Sequence, residues 1–102
     1  MMKFGIPDKS LRLIMNELNA FQEIEKCAVF GSRAMGHYRN GSDLDLVVYG
    51  PSITEKTLTR LGSRLNEELP LPYYFDIVHY EAITTPSLRE HIDTCGVPFY
   101  HR

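Results

Sequence analysis

The stretch from Gly31 to Gly50, GSRAMGHYRNGSDLDLVVYG, restricts the possible folds of this chain more than any other part of it. Val29 and Phe30 lead into Gly31-Ser32, ten residues follow, and Asp43-Leu44-Asp45-Leu46-Val47-Val48 then alternates acidic and apolar side chains before turning wholly apolar. A strand repeats every two residues, so Asp43 and Asp45 share a face. Two carboxylates held that close repel each other, and the usual remedies are protonation of one or a cation between them. A divalent metal is the economical explanation, and a Gly-Ser turn just ahead of it fits a nucleotide phosphate.

At 102 residues the chain is expected to be one domain, spanning 1–102, with an ordinary core but no room for a separate substrate domain. Eleven basic against thirteen acidic side chains give a formal charge of −2, so no global field recruits nucleic acid or an anionic membrane. Local charge is more telling. Between Lys26 and Ser42 every formally charged residue is basic, namely Lys26, Arg33 and Arg39, with His37 among them. A cationic loop facing an acidic strand suits a metal-bound polyphosphate. The two cysteines, Cys27 and Cys95, lie far apart and form no CxxC pair, which indicates neither a zinc site nor a disulfide framework. MMKFGIPDKS has no apolar core of signal-peptide length, and no apolar run approaches the roughly 20 residues of a membrane helix. A cytoplasmic protein is expected.

Pro7-Asp8 followed by Leu11, Ile14, Met15, Leu18 and Phe21 predicts a capped amphipathic helix. Cys27 to Phe30 predicts a short buried strand, Ala34 to Tyr38 a brief helical turn, Asn40-Gly41 a turn and Leu44 to Tyr49 a second strand. Thr54, Leu58, Leu61, Leu65 and Leu69 mark a second amphipathic helix, with Gly62 inside it and Pro70 and Pro72 beyond it. A third strand is expected from Tyr73 to Tyr80, a third helix from Pro86 to Cys95 closed by Gly96, and a final strand from Val97 to Tyr100. Alternating elements of this kind imply an α+β protein, a mixed β-sheet with helices packed on it.

The candidate site follows from that placement. Gly31 serves either as an ordinary turn residue or as the point where backbone approaches a phosphate, with Ser32 either capping the next turn or donating to oxygen. Asp43 and Asp45 sit among interior-strand residues, where unpaired carboxylates each carry a desolvation cost of several kcal/mol. Asp76 interrupts Tyr74-Phe75 and Ile77-Val78 in a strand expected to lie near the first pair. Three carboxylates from two strands can hold two Mg²⁺ ions for phosphoryl or nucleotidyl transfer. Arg33, Arg39 and Ser42 are further candidates for the nucleotide, Ser42 also as a turn cap. The histidines at 37, 79, 91 and 101 read as surface or core-edge residues, and the tyrosines at 73, 74, 80 and 100 as strand and core packing.

Together these residues resemble the signature of the DNA polymerase beta-like nucleotidyltransferases: hydrophobic-Gly-Ser, a spacer of about ten residues, then Asp-hydrophobic-Asp. The SRAxG and SDLDL variants and the short length resemble the minimal branch of that family, whose fold is the polymerase beta palm. The resemblance implies Gly31 and Ser32 on a triphosphate, Asp43 and Asp45 as metal ligands, and Asp76 as the third carboxylate that helps activate a hydroxyl. It also implies ATP, two Mg²⁺ ions and a co-encoded HEPN-domain partner in a hetero-oligomer. Such pairs are toxin–antitoxin systems in which the nucleotidyltransferase is the antitoxin and transfers AMP to a tyrosine of the HEPN ribonuclease. Two alternatives stand beside this reading. One is an antitoxin that acts by complex formation without essential catalysis, and the other is transfer to a small molecule or an RNA end.

Overall fold

The computed structural model describes residues 2–39 and 41–102. In chain order the elements are β1 (Met2–Lys3), β2 (Ile6–Pro7), α1 (Asp8–Asn19), β3 (Lys26–Phe30), α2 (Gly31–Met35), β4 (Leu44–Tyr49), α3 (Glu55–Ser63), β5 (Phe75–His79), α4 (Pro86–Cys95) and β6 (Val97–His101). The opening hairpin has no Asn-Gly signal in the sequence. Phe4 and Gly5 nonetheless both adopt positive φ, 57° and 73°, which is the combination a two-residue type I′ turn demands. β2 runs straight into α1, whose buried residues Leu11, Ile14 and Leu18 repeat at three- and four-residue spacing.

The main sheet has the order β5-β4-β3-β6. β3 is antiparallel to both β4 and β6, whereas β4 and β5 run parallel. This is the mixed sheet with helices that the element pattern predicts. A parallel pair needs a crossover, and α3 supplies it. Thr54 and Thr57 start that helix with a reciprocal cap, each backbone N–H donating to the other's hydroxyl at 3.2 Å. The Thr57 hydroxyl donates in turn to Glu23 at 2.6 Å, and this bond is the main cause holding the Glu23 carboxyl below its ordinary value.

The strand alternation sorts the sheet into two faces. Cys27, Val29, Leu44, Leu46, Val48 and Phe75 join the residues of α1 and α3 in the larger core. Cys27 is fully enclosed there, and burial pushes its thiol well above the ordinary range, so it is inert packing. The opposite face carries Ala28, Phe30 and Val47, covered by Ile92 and Leu88 of α4. It also carries Asp45 and Asp76, which alternate with the core-facing residues on either side of them. The helical turn differs from expectation in its bounds. The turn after β3 is helical from Gly31 itself and stops at Gly36, at φ 81°, instead of running from Ala34 to Tyr38. The Asn40-Gly41 turn falls partly outside the described residues, which exclude Asn40. Gly96 does close α4, but at φ −67° its value is space, since a Cβ there would lie 2.6 Å from the Ile92 carbonyl oxygen.

α3 continues into a π-helical turn, Arg64–Glu68, and this widened turn brings Asn66 to the sheet edge. The Phe75 N–H donates to Asn66 Oδ1 at 2.7 Å, and Asn66 Nδ2 donates to the Phe75 carbonyl at 3.1 Å. One amide side chain thus occupies the outward-facing backbone groups where edge strand β5 begins. Asn66→Leu orphans both groups beside a buried Phe75, and it is expected to cost about 2 kcal/mol in urea unfolding. A change below about 0.5 kcal/mol would show that water replaces the amide without loss.

Candidate active site

The register of the sheet builds the site. Phe30 lies opposite Asp45, and Asp45 lies beside Asp76, so a single row crosses three strands. Asp43 precedes Asp45 by two residues, just before β4 begins, and the alternation puts it on the same side. Asp43 and Asp76 are exposed and Asp45 is half-buried. The Asp45 carboxyl is raised above its ordinary value, first by desolvation and then by the charges of Asp76 and Asp43. The three aspartates therefore share one local field.

Gly31 meets this row from the end of β3. Its φ is 73°, and a Cβ at this position would collide with the Asp45 carboxylate, so no other residue fits without moving that side chain. The Gly31 N–H donates to Nε2 of His91 at 3.1 Å, which requires that nitrogen to be the unprotonated one of the ring. His91 also packs edge-on against Phe30, with ring centroids 6.1 Å apart. α4 thus clamps the Gly31 turn. Ser32 follows in the first turn of α2, and its carbonyl accepts the His37 N–H at 2.9 Å to close that turn.

Arg33 departs from its expected place on a nucleotide. Only 4% of it is exposed, and its guanidinium donates to the Ser42 carbonyl at 3.0 and 3.2 Å and to the Phe4 carbonyl at 2.8 Å. The Tyr38 and Tyr73 rings flank it, 4.9 and 5.2 Å from the guanidinium carbon. It is a brace that ties the opening hairpin to the turn before Asp43 and to the chain entering β5. The fixed fork of an arginine, free of any acceptor role, explains why this residue type can serve three anchors at once. Ser42 caps its own turn, its hydroxyl accepting the Arg39 N–H at 2.9 Å, which leaves the exposed Arg39 side chain as the loop cation still open to solvent.

Two residues contribute that the sequence reading placed elsewhere. His91 is not a plain surface or core-edge histidine, and its 60-residue separation from Gly31 left no local signal. Tyr74 is not core packing, since 62% of it is exposed. The alternation Tyr73-Tyr74-Phe75 carried that information: Phe75 is buried in the larger core, Tyr73 packs against it and meets Phe75 edge-on at 6.4 Å, and Tyr74 between them is left exposed.

The donor set consists of hard carboxylate oxygens, which suit Mg²⁺ and not a soft thiolate-seeking metal. Among the described residues no three His, Cys, Asp or Glu side chains close into a ligand shell, so the aspartates share an edge and a field but stay apart.

A raised aspartate makes the native chain bind more protons than the unfolded chain at mildly acidic pH, so stability falls as pH rises through that window and stays lower above it. In metal-free buffer Asp45→Asn is expected to melt above wild type at pH 7, with the gap closing as pH falls into the ordinary aspartate range. A variant that melts lower at pH 7 contradicts the assigned repulsion. Arg33→Lys keeps the charge but loses the fork, and about 2 kcal/mol of stability should go with it. Wild-type stability in that variant would remove Arg33 as the brace.

The family model "Polymerase beta, Nucleotidyltransferase" matches residues 13–102. No curated protein matches the chain. A crystal structure of a toxin–antitoxin with AMP-PNP superposes with a TM-score of 0.74 at 16% identity, covering 95% of this chain and 75% of that one. A structure of tri-AMPylated Shewanella oneidensis HEPN toxin in complex with MNT antitoxin gives 0.64 at 15% identity, over 92% and 69% of the two chains. The toxin–antitoxin MntA-HepT gives 0.57 at 14%, again over 92% and 69%. At these identities the likeness is one of fold, a nucleotidyltransferase fold. The family match covers most of the sequence and includes the Gly-Ser turn and all three aspartates, and on that ground the chain belongs to the polymerase beta nucleotidyltransferase family.

Proposed function

We propose that this chain is a Mg²⁺-dependent nucleotidyltransferase that transfers AMP from ATP to a hydroxyl, that of a tyrosine on a HEPN-domain toxin partner, for which it serves as antitoxin. The observation that carries the reading is the row of Asp43, Asp45 and Asp76, with the Gly31 backbone pressed against the middle carboxylate. Asp43, Asp45 and Asp76 are the residues that would hold the metal, which when bound supplies charge neutralisation for the phosphates and acidifies the attacking hydroxyl. Gly31 and Ser32 receive the outer phosphates, with Arg39 the nearest solvated cation.

The transfer is an in-line displacement. The acceptor oxygen forms a bond to the α-phosphorus, the bond from that phosphorus to the bridging oxygen breaks, and pyrophosphate leaves with the electron pair. The hydroxyl proton passes to the Asp76 carboxylate, the acid at the outer end of the row. Asp45, already disfavoured as an anion by burial and then by its acidic neighbours, is the carboxylate whose charge gains most from a counter-cation.

The protein works as a single domain inside a cytoplasmic hetero-oligomer. Among the described residues no helix is long and apolar enough to cross a membrane, and the near-neutral overall charge gives no groove-wide field for nucleic acid. Incubation with labelled ATP, Mg²⁺ and the HEPN-domain protein encoded beside it should place AMP on a partner tyrosine, read by intact mass and peptide mapping. Asp43→Asn should lower labelling by about 10³-fold or more. Undiminished labelling in that variant would falsify the metal role of Asp43. A variant that binds and still neutralises the toxin without labelling would move the function to complex formation.

A further inference from the structure

Resting on the transferase reading above, we infer that Tyr74 is the residue that meets the acceptor, an aromatic contact on the attacking side of the transfer. Its position follows from the ladder. Leu44 pairs with Phe75, and the Leu44 N–H donates to the Tyr74 carbonyl at 2.8 Å, so Tyr74 stands across from Asp43 and two residues before Asp76. Tyr73 and Phe75 are packed into the larger core, which leaves the 62%-exposed Tyr74 ring on the aspartate side. Exposing a whole aromatic beside three acids gains nothing for folding.

The chemistry fixes what approaches from that side. The outer phosphates belong at the Gly31-Ser32 end of the row, next to β3, and pyrophosphate must leave in that direction. In-line displacement requires the attacking oxygen on the opposite side of the α-phosphorus, which is the β5 end, where Asp76 and Tyr74 stand. The nucleoside branches from the same phosphorus off this axis. β5 is an edge strand of the sheet, so no further strand lies beyond it among the described residues. Asn66 already holds the outward backbone groups of Phe75, which prevents an acceptor from joining there as an added strand. The acceptor therefore comes over the face, where the Tyr74 ring is what it touches first. A ring of this kind suits an aromatic acceptor such as a tyrosine side chain, by offset or edge-on packing.

The test compares wild type, Tyr74→Ala and Tyr74→Phe in two assays: ATP binding with Mg²⁺ by calorimetry, and AMP transfer to the co-encoded HEPN-domain protein. Because the side chain is exposed, both variants are expected to fold, and circular dichroism checks this. The expected result is ATP affinity within twofold of wild type in both variants, a KM for the acceptor raised about fivefold or more in Tyr74→Ala with little change in kcat, and near-complete rescue by Tyr74→Phe. Unchanged acceptor KM in Tyr74→Ala overturns the assignment, as does a tenfold loss of ATP affinity, which would put the ring on the nucleoside. AMP found on Tyr74 itself would make it an acceptor and overturn it equally. A wild type that binds no ATP, or binds it and labels nothing, removes the transferase reading itself, a failure visible before any variant is compared.

Discussion

The pairing of Phe30 with Asp45 sets a carboxylate against a residue that has no side chain, and the arrangement of the site depends on that contact. Gly31 has to be where it is because the chain leaves β3 with a left-handed φ and because the space a Cβ would take is already filled by the acid. The same contact brings the backbone of the turn to the middle of the aspartate row. His91 then pins the turn from α4, and Arg33 pins its far end, so a loop of a dozen residues between two antiparallel strands is fixed at both ends.

The site also explains why the crossover from β4 to β5 is built as it is. Asp76 reaches Asp45 only because β4 and β5 run parallel and in register, and that register is set where β5 begins. A helix of regular pitch through residue 68 would present a different side chain to the edge. The π-helical turn delivers Asn66, whose amide imitates a strand and holds Phe75 in place. A widened turn is a small cost set against the position of a carboxylate 31 residues from its neighbour.

Much of this was legible in the sequence, for reasons that differ by residue. Periodicity carried the strands at Cys27–Phe30 and Leu44–Tyr49 and the helix from Pro86 to Cys95, because a face that buries side chains leaves a repeat in the chain. The Gly-Ser turn and the acid pair were legible because they are local. Arg33 was read as a ligand contact because a loop cation beside acids ordinarily faces solvent. Its burial depends on carbonyls at Phe4 and Ser42 and rings at Tyr38 and Tyr73, and no spacing rule joins those four. His91 and Asn66 escaped for the same reason, since each acts on backbone across a long separation. Tyr74 could have been assigned by alternation alone, had the strand been taken as one-sided before its aromatics were read as packing.

Along β4 and the residue before it, the side chains that build the core alternate with the carboxylates proposed to hold the metal. Leu44, Leu46 and Val48 are fully enclosed and face the larger core, while Asp43 and Asp45 face the other way and Asp45 works against stability. Substitutions at the outward positions can therefore weaken or remove the proposed chemistry while the inward ones keep the fold intact, so loss of that chemistry need not cost the protein its structure.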